Sequence, residues 1–134
     1  MTHTRFVISA GGIITDDKGR VLLLKHRFRP GSGWGMPGGF IKEGERPEDA
    51  LHRELQEEVG LKLGKPTLFT TRAFIEPKQL EIVFRCRALG DTERLSFEIQ
   101  KAVWFYPDEL PEELPKDQAE LIKSALADGA RPHD

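Results

Sequence analysis

The chain has 134 residues, with 20 Lys and Arg against 22 Asp and Glu, and its formal net charge is −2. A chain of this length forms a single domain over residues 1–134 and buries roughly two thirds of its unfolded surface, so its core needs neither disulfides nor zinc. The charge balance excludes a general nucleic-acid or membrane-surface binder, and no stretch approaches the ~18 apolar residues of a membrane span, so a cytoplasmic protein is expected.

The first predicted element is a β-hairpin. Residues 6–14 are rich in β-forming side chains, residues 16–19 give a turn signal, and an apolar run resumes over 21–28. Within that run, Leu22–Leu24 are expected to be buried on both faces. Residues 30–39 then contain five glycines and two prolines. This composition predicts a loop without regular structure, whose backbone can approach a ligand closely.

A helix is predicted over residues 47–59. Pro47 suits the first helical position and Gly60 suits the stop after the last turn. Arg46 falls at the N-cap without a capping oxygen, which costs about 1 kcal/mol. On a helical projection, an arc of about 80° that must face the core contains Leu51, Leu55 and Val59.

The second half of the chain is predicted to supply the remaining strands and a second helix. Residues 80–88 alternate apolar and polar side chains, which is typical of a half-buried strand, and residues 65–74 are expected to pair with it. Cys86 lies inside this alternation and is expected to be a small buried apolar residue. The remaining elements are a strand over 102–106, an amphipathic helix over 116–127 and a tail at 128–134 that is expected to fray.

Three glutamates share one side of the predicted 47–59 helix. Glu54, Glu57 and Glu58 fit in an arc of about 100° beside the leucine stripe. Acidic residues at a helix rim are usually a solvated face, but here like charges repel by a few tenths of a kcal/mol per pair, and partial burial increases that cost. A hard cation such as Mg²⁺ or Mn²⁺ removes the penalty. Arg53, four residues before Glu57, could orient it.

The spacing around these glutamates resembles a known motif. Gly39, five residues, Glu45, seven residues and then residues 53–61 (Arg-Glu-Leu-Gln-Glu-Glu-Val-Gly-Leu) resemble a complete Nudix box. The order of strands and helices is similar to that family over nearly the whole chain. The resemblance implies the Nudix α/β/α sandwich, with a mixed β-sheet between helices, and hydrolysis of a nucleoside diphosphate linked to another group.

The resemblance also implies roles for individual residues. A divalent metal, Mg²⁺ or Mn²⁺, would be held by Glu54, Glu57 and Glu58, with help from the carbonyl of Gly38 or Gly39. Glu45 would support these ligands, and Glu57 is the predicted general base. A further metal carboxylate often precedes the last strand of this family. Glu98 is the best match, although an ordinary surface glutamate is an equal alternative.

Cations for the substrate's phosphates are expected on the segment before the box. Residues 18–42 contain six Lys or Arg and no acid. Arg27 and Arg29 are the predicted phosphate clamps, because a guanidinium matches phosphate bidentately, and a solvated basic turn is the alternative. His26, among these cations, is expected to be a surface histidine rather than a ligand.

Two further positions are candidates for contacting a base. Trp34, with Phe28, could stack on it, and packing within the loop is the slightly favoured alternative. Asp117 and Gln118 lie where MutT-like members of the family often carry a residue that reads a base edge, although Asp117 also suits the first turn of a helix.

The predicted partner is a small nucleotide, with no membrane and no bulk nucleic acid, and both monomer and homodimer stay open. Nucleoside triphosphates rank first as substrates because the compact size favours a MutT-like enzyme. ADP-ribose or sugar nucleotides rank second, because Pro77, sixteen residues after Leu61, resembles the downstream proline of ADP-ribose pyrophosphatases. Pyrophosphate removal from RNA 5′ ends ranks third. A nucleotide-binding module without turnover is the alternative from a different class.

Overall fold

The computed structural model describes residues 3–127, which form a seven-stranded mixed sheet and two helices. The elements in chain order are β1 (Val7–Thr15), β2 (Val21–His26), β3 (Trp34–Gly35), β4 (Gly38–Phe40), α1 (Pro47–Val59), β5 (Thr67–Phe74), β6 (Gln79–Arg87), β7 (Ile99–Phe105) and α2 (Lys116–Ala127). No helix within residues 3–127 is long and apolar enough to span a bilayer.

The predicted hairpin of β1 and β2 is confirmed, and Asp16 organises its turn. The Asp16 carboxylate accepts the backbone N–H groups of Lys18 at 3.0 Å and Arg20 at 2.8 Å. It also pairs with the Arg20 guanidinium at 2.7 Å. Beyond the turn, the side chains of Leu22–Leu24 are fully buried on both faces of the sheet, as predicted.

The centre of the sheet is a parallel pairing between β1 and β6. Its register runs from Val7 opposite Gln79 to Thr15 opposite Arg87, so β6 occupies one edge of β1 along its whole length. The other edge of β1 is shared: β2 pairs with it at Thr15, and β4 pairs with it over residues 9–11. The sheet therefore divides along this edge, which brings the glycine-rich segment against the middle of β1.

The sheet separates two apolar cores, because the side chains of a strand alternate between its faces. The core beneath α1 contains Ile14, Leu22, Leu24, Leu51, Leu55, Val59, Phe84 and Ile99. The core beneath α2 contains Ile13, Val21, Leu23, Trp34, Met36, Val83, Ile122 and Ala125. Helices therefore cover both faces of a mixed sheet, and the predicted α/β/α sandwich is confirmed.

Helix α1 has the bounds that its end signals predicted. Arg46 is extended and its side chain makes no capping hydrogen bond, as expected. Gly60 adopts the left-handed conformation with φ 65°, which only glycine enters without strain, and its N–H donates to the Gln56 carbonyl at 3.1 Å. The residues predicted to face the core are all fully buried: Leu51, Leu55 and Val59.

Two of the sequence predictions need correction. The segment 30–39 was expected to lack regular structure, but β3 pairs with β2, and β4, which begins within it, pairs with β1. Glycine's missing side chain allows this pairing, because Gly38 and Gly39 lie opposite Gly11 and Ala10 of β1. Strand β7 begins at Ile99, three residues before the predicted start at 102.

The other predictions for the second half agree with the structure. The pairing of β5 with β6 and the bounds of α2 are as predicted. Cys86 is buried as expected, and burial raises the pKa of its thiol to about 12, which makes it unreactive at neutral pH. The predicted frayed tail at 128–134 lies outside the described residues.

Candidate active site

The site begins at the glycine pair of β4. Gly38 has φ 147°, and a Cβ there would overlap the carbonyl oxygen of Ala10 and lie 2.8 Å from the Cα of Gly11. At Gly39, a Cβ would lie 2.6 Å from both carboxylate oxygens of Glu54. The pair therefore lets β4 press against β1 on one side and leaves room for a carboxylate on the other.

Glu54 and Glu58, one turn apart on α1, form the acidic centre of the site. The two carboxyl groups are close enough to interact electrostatically. The Oε1 atom of Glu58 is buried and has no hydrogen-bond partner. Burial, followed by the charge of Glu54, raises the pKa of Glu58 to about 8, while Arg29 opposes the shift and Glu98 adds to it. The fold thus holds carboxylates together at an energetic cost and leaves one oxygen unsatisfied.

Arg53 joins three glutamates around this centre. Its Nε and Nη2 atoms donate to the two oxygens of Glu45 at 2.7 and 3.0 Å. Its Nη1 atom donates to Glu54 at 3.0 Å and to Glu57 at 3.2 Å, so the expected contact with Glu57 is present. Mainly through the Arg53 hydrogen bonds, the pKa of Glu45 is lowered to about 2. Glu45 therefore acts as an ionised anchor for the arginine that orients the other two carboxylates.

The carboxylates of the acidic centre supply part of a binding site for a divalent cation. Within residues 3–127, no three Asp, Glu, His or Cys side chains converge into a complete ligand set. Of the predicted trio, Glu54 and Glu58 come together, whereas the carboxylate of Glu57 is 57% exposed and turns toward Arg53. The unpartnered oxygen of Glu58 and the all-oxygen donor set match Mg²⁺ or Mn²⁺, which would relieve the repulsion between the carboxylates.

A polar cleft of about 120 Å³ opens beside the glycine pair. Its lining includes Ser9, Arg29, Gln79, Glu81 and Gln118. The Oε1 atom of Gln118 accepts the Met36 N–H at 2.9 Å, and Gln79 donates to the Ser9 hydroxyl at 2.8 Å. The Glu81 carboxylate pairs with Arg72 at 2.7 Å. The cleft therefore combines fixed amide and carboxylate groups with one cation, and these groups can hydrogen-bond a polar ligand.

Comparison with known proteins assigns this arrangement to a family. A family model described as the NUDIX domain matches residues 5–125. The chain belongs to the Nudix family. It is 34% identical over 132 residues to a MutT-like protein of Streptomyces ambofaciens, a match that covers 94% of this chain and 80% of that protein.

Two further matches differ in how much of each protein they cover. A crystal structure of a MutT NUDIX hydrolase from Burkholderia pseudomallei superposes with a TM-score of 0.78 and 27% identity, covering 90% of this chain and 98% of that one. An RNA pyrophosphohydrolase from Saccharophagus degradans is 53% identical over 53 residues, but these are 40% of this chain and only 31% of that protein. The chain is accordingly a Nudix hydrolase that acts on nucleoside diphosphate derivatives.

The two predicted phosphate clamps of this Nudix domain occupy different places. Arg29 lines the cleft, and its guanidinium donates to the His26 ring at 3.2 Å. Arg27 instead donates through Nε to the Phe97 carbonyl at 2.9 Å and stacks over the Phe97 ring. His26, expected at the surface, is half-buried, and burial followed by the charge of Arg29 lowers its pKa to about 4. The expectation of a surface histidine was therefore wrong.

The two candidates for base contact lie away from the cleft lining. Trp34 is 9% exposed and packs edge-on against Phe105 in the core beneath α2, a placement that fits the packing alternative. Asp117 pairs with Arg72 at 2.9 Å, while its neighbour Gln118 reaches the cleft. The predicted substrate roles of Trp34 and Asp117 thus have no support from their positions.

Sequence reasoning missed three of the polar groups in the cleft. Ser9, Gln79 and Glu81 lie on the paired strands β1 and β6, where Ser9 stands opposite Glu81. Ser9 is 6% exposed, which is unusual for a hydroxyl residue inside a strand. A polar residue within an otherwise apolar strand was the available signal, but only the pairing register shows that these residues meet.

Proposed function

We propose that this Nudix hydrolase is a metal-dependent nucleoside triphosphate pyrophosphohydrolase. Water would attack phosphorus in the diphosphate linkage, and the products would be a nucleoside monophosphate and pyrophosphate. The observation that carries the proposal is the pairing of Glu54 with Glu58 beside Gly39, where a buried carboxylate oxygen lacks a partner. A cleft with one arginine adjoins this pair.

The residues of the acidic centre would divide the chemistry as follows. Glu54 and Glu58 would hold Mg²⁺ or Mn²⁺, with Glu57, Glu98 and the carbonyl of Gly38 or Gly39 as further donors. When bound, the cation neutralises charge on the phosphoryl oxygens and lowers the pKa of the attacking water. Glu57 is the proposed general base, because its exposed carboxylate can accept a proton from water and it shares the Arg53 guanidinium with Glu54.

The cleft would recognise the rest of the nucleotide. Arg29 is the only cation that lines it among the described residues, and it is proposed to bind the phosphates. The amide of Gln118 is held by Met36 through its oxygen, so its nitrogen keeps donor capacity for a base edge. A cytoplasmic location and a small nucleotide as the partner stay predictions from the sequence.

A substrate panel tests the proposed function. The protein would be incubated with Mg²⁺ or Mn²⁺ and ribo- and deoxynucleoside triphosphates, ADP-ribose, sugar nucleotides and diadenosine polyphosphates. We expect pyrophosphate release from a triphosphate to be the fastest reaction. Faster turnover of ADP-ribose or a sugar nucleotide would refute the triphosphate assignment. Tight nucleotide binding without turnover of any member would instead indicate a binding module.

A second candidate, pyrophosphate removal from RNA 5′ ends, is favoured by one surface feature. Phe28 and Phe97 are 67% and 75% exposed, and their ring centroids lie 5.6 Å apart. Arg27 stacks over Phe97, and Glu98, a candidate metal ligand, is the next residue. Exposed aromatic rings with a cation nearby are the usual means of stacking unpaired bases. The pair could therefore hold the nucleotides that follow a 5′ triphosphate.

Matched substrates separate the two candidates. If RNA is the substrate, Phe28→Ala and Phe97→Ala should lower kcat/KM at least about tenfold on a 5′-triphosphate oligonucleotide and little on a free triphosphate. Leu89→Ala removes another exposed apolar side chain, 62% exposed, and serves as the control. Equal effects of the Phe variants on both substrates would refute the stacking role.

A further inference from the structure

The His26 ring, at the end of β2, lies between a backbone carbonyl and the cleft arginine. Its Nδ1 atom lies 3.3 Å from the Gly33 carbonyl oxygen, and its Nε2 atom lies 3.2 Å from Nη2 of Arg29. The low pKa of His26 keeps the ring neutral at pH 7. A carbonyl oxygen can only accept a hydrogen bond, and a guanidinium can only donate one. Nδ1 must therefore carry the ring proton, and Nε2 must accept from Arg29.

Gly35 provides the space that the guanidinium fills. A Cβ at Gly35 would overlap Nη1 of Arg29, whereas the amide atoms of Gln118 would lie at 3.5 and 3.6 Å, an ordinary contact. Gly35 does not have a positive φ, so backbone conformation does not explain the glycine. A side chain at this position would displace one group selectively, the guanidinium of Arg29.

Arg29 is held at the boundary between the acidic centre and the cleft. It lines the cleft together with Gly38 and Gly39, and it interacts electrostatically with both Glu58 and Glu81. A diphosphate that reaches from the carboxylate-bound metal into the cleft would pass this guanidinium. A free arginine side chain samples many rotamers, so fixing it before the ligand arrives reduces the entropic cost of binding.

We propose that His26 and Gly35 are positioning residues, which together fix the Arg29 guanidinium in the orientation that binds the diphosphate of the substrate. The inference rests on the proposed function, in which Arg29 binds the substrate's phosphates. His26 acts as the acceptor that sets the rotation of the guanidinium, and Gly35 acts by leaving its position vacant. Neither residue contacts the substrate itself.

Three single variants and one background test the proposal. His26→Leu removes the acceptor, His26→Gln restores an acceptor amide oxygen, and Gly35→Ala displaces the guanidinium while leaving its charge. Gly64→Ala is the control, because a Cβ there meets nothing closer than 3.5 Å. Each change is made in the wild-type chain and in an Arg29→Ala background, and kcat and KM are measured on a nucleoside triphosphate with Mg²⁺.

We expect His26→Leu and Gly35→Ala to raise KM about tenfold with kcat within about twofold, because uniform ligand binding is lost. His26→Gln should restore most of the affinity. In the Arg29→Ala background neither change should have a further effect. Additive effects in that background, or a wild-type KM for Gly35→Ala, would overturn the proposal, since a merely structural role does not depend on Arg29.

Two readouts do not depend on turnover. The ¹⁵N spectrum of the His26 ring should show the Nδ1-protonated tautomer, and inorganic pyrophosphate with Mg²⁺ should bind His26→Leu and Gly35→Ala about tenfold more weakly in calorimetry. If no nucleotide is hydrolysed, the proposed function fails while these measurements still test the positioning. An Nε2-protonated tautomer, or unchanged pyrophosphate affinity, would overturn the positioning alone.

Discussion

Adjacent glycines in β4 should respond differently to the same substitution. Gly38→Ala places a methyl group against the backbone of Ala10 and 2.8 Å from the Cα of Gly11, and it does so at φ 147°. Backbone cannot yield cheaply, so overpacking of about 1–3 kcal/mol adds to strain of similar size. A loss of about 2–6 kcal/mol is a large part of the roughly 5–15 kcal/mol that stabilises a domain.

Gly39→Ala meets a flexible side chain instead. The new Cβ lies 2.6 Å from the Glu54 carboxylate oxygens, and the carboxylate must retreat until that distance is at least 3.0 Å. The fold should lose only about 1 kcal/mol, because the end of a glutamate moves easily. Displacing a reacting group by up to about 1 Å costs up to roughly a hundredfold in rate, so kcat and Mn²⁺ affinity should fall at least about tenfold.

Urea unfolding followed by tryptophan fluorescence measures the first effect, and triphosphate hydrolysis with Mn²⁺ binding by electron paramagnetic resonance measures the second. Gly64→Ala, with its nearest contact at 3.5 Å, is the control for both. If Gly38→Ala unfolded at the same urea concentration as the control, the packing argument would fail. Wild-type kcat and Mn²⁺ affinity in Gly39→Ala would show that Glu54 does not belong to the reacting centre.

Three further predictions concern catalysis, acid stability and the core. Glu57→Gln should lower kcat at least about a hundredfold with unchanged urea unfolding, and near wild-type turnover would refute its catalytic role. Asp16→Asn should cost about 1–2 kcal/mol at pH 7. Burial alone would raise the pKa of Asp16, but hydrogen bonds from Arg20 and Lys18 outweigh it and lower the value. Its stabilisation is therefore present above the unfolded pKa and is lost as pH falls through the folded pKa. The difference in stability between the two proteins should begin to shrink below about pH 4 and vanish below the folded pKa. Leu55→Ala should cost about 2–5 kcal/mol in urea unfolding because it leaves a cavity beneath α1, and a loss under 1 kcal/mol would contradict full burial.

The helices could be predicted closely because their end signals are local. Pro47 and Gly60 fix the ends of α1 through backbone geometry, and the apolar stripe on α2 repeats with the helical period. The strands within 30–39 could not be predicted in the same way. They exist because Gly38 and Gly39 can approach β1, where their partners Gly11 and Ala10 lie 27 and 29 residues earlier in the chain.

Part of the candidate site could also be predicted, because it depends on local helical geometry. Glu54 and Glu58 are one turn apart on α1, so helical geometry alone brings them together. The cleft, in contrast, is assembled from distant segments: Gln118 of α2 meets Met36, and Gln79 of β6 meets Ser9 of β1. No local pattern distinguishes Gln118 from Asp117, because only the packing of α2 decides which side chain faces β3.

The charge pattern along the sequence suggests more charged side chains at the site than the structure places there. Residues 18–42 carry six cations and residues 43–58 carry seven acids, which suggests two opposed surfaces. Several of these charges are engaged locally: Arg20 with Asp16, Lys25 over Trp34, Arg27 with Phe97, Arg46 with Glu48 and Arg53 with Glu45. Of the six cations, Arg29 is the one that lines the cleft, and the Glu54–Glu58 pair adjoins the cleft at Gly39. Because recognition then depends on one oriented guanidinium rather than on a broad field, the residues that orient it should matter as much as its charge.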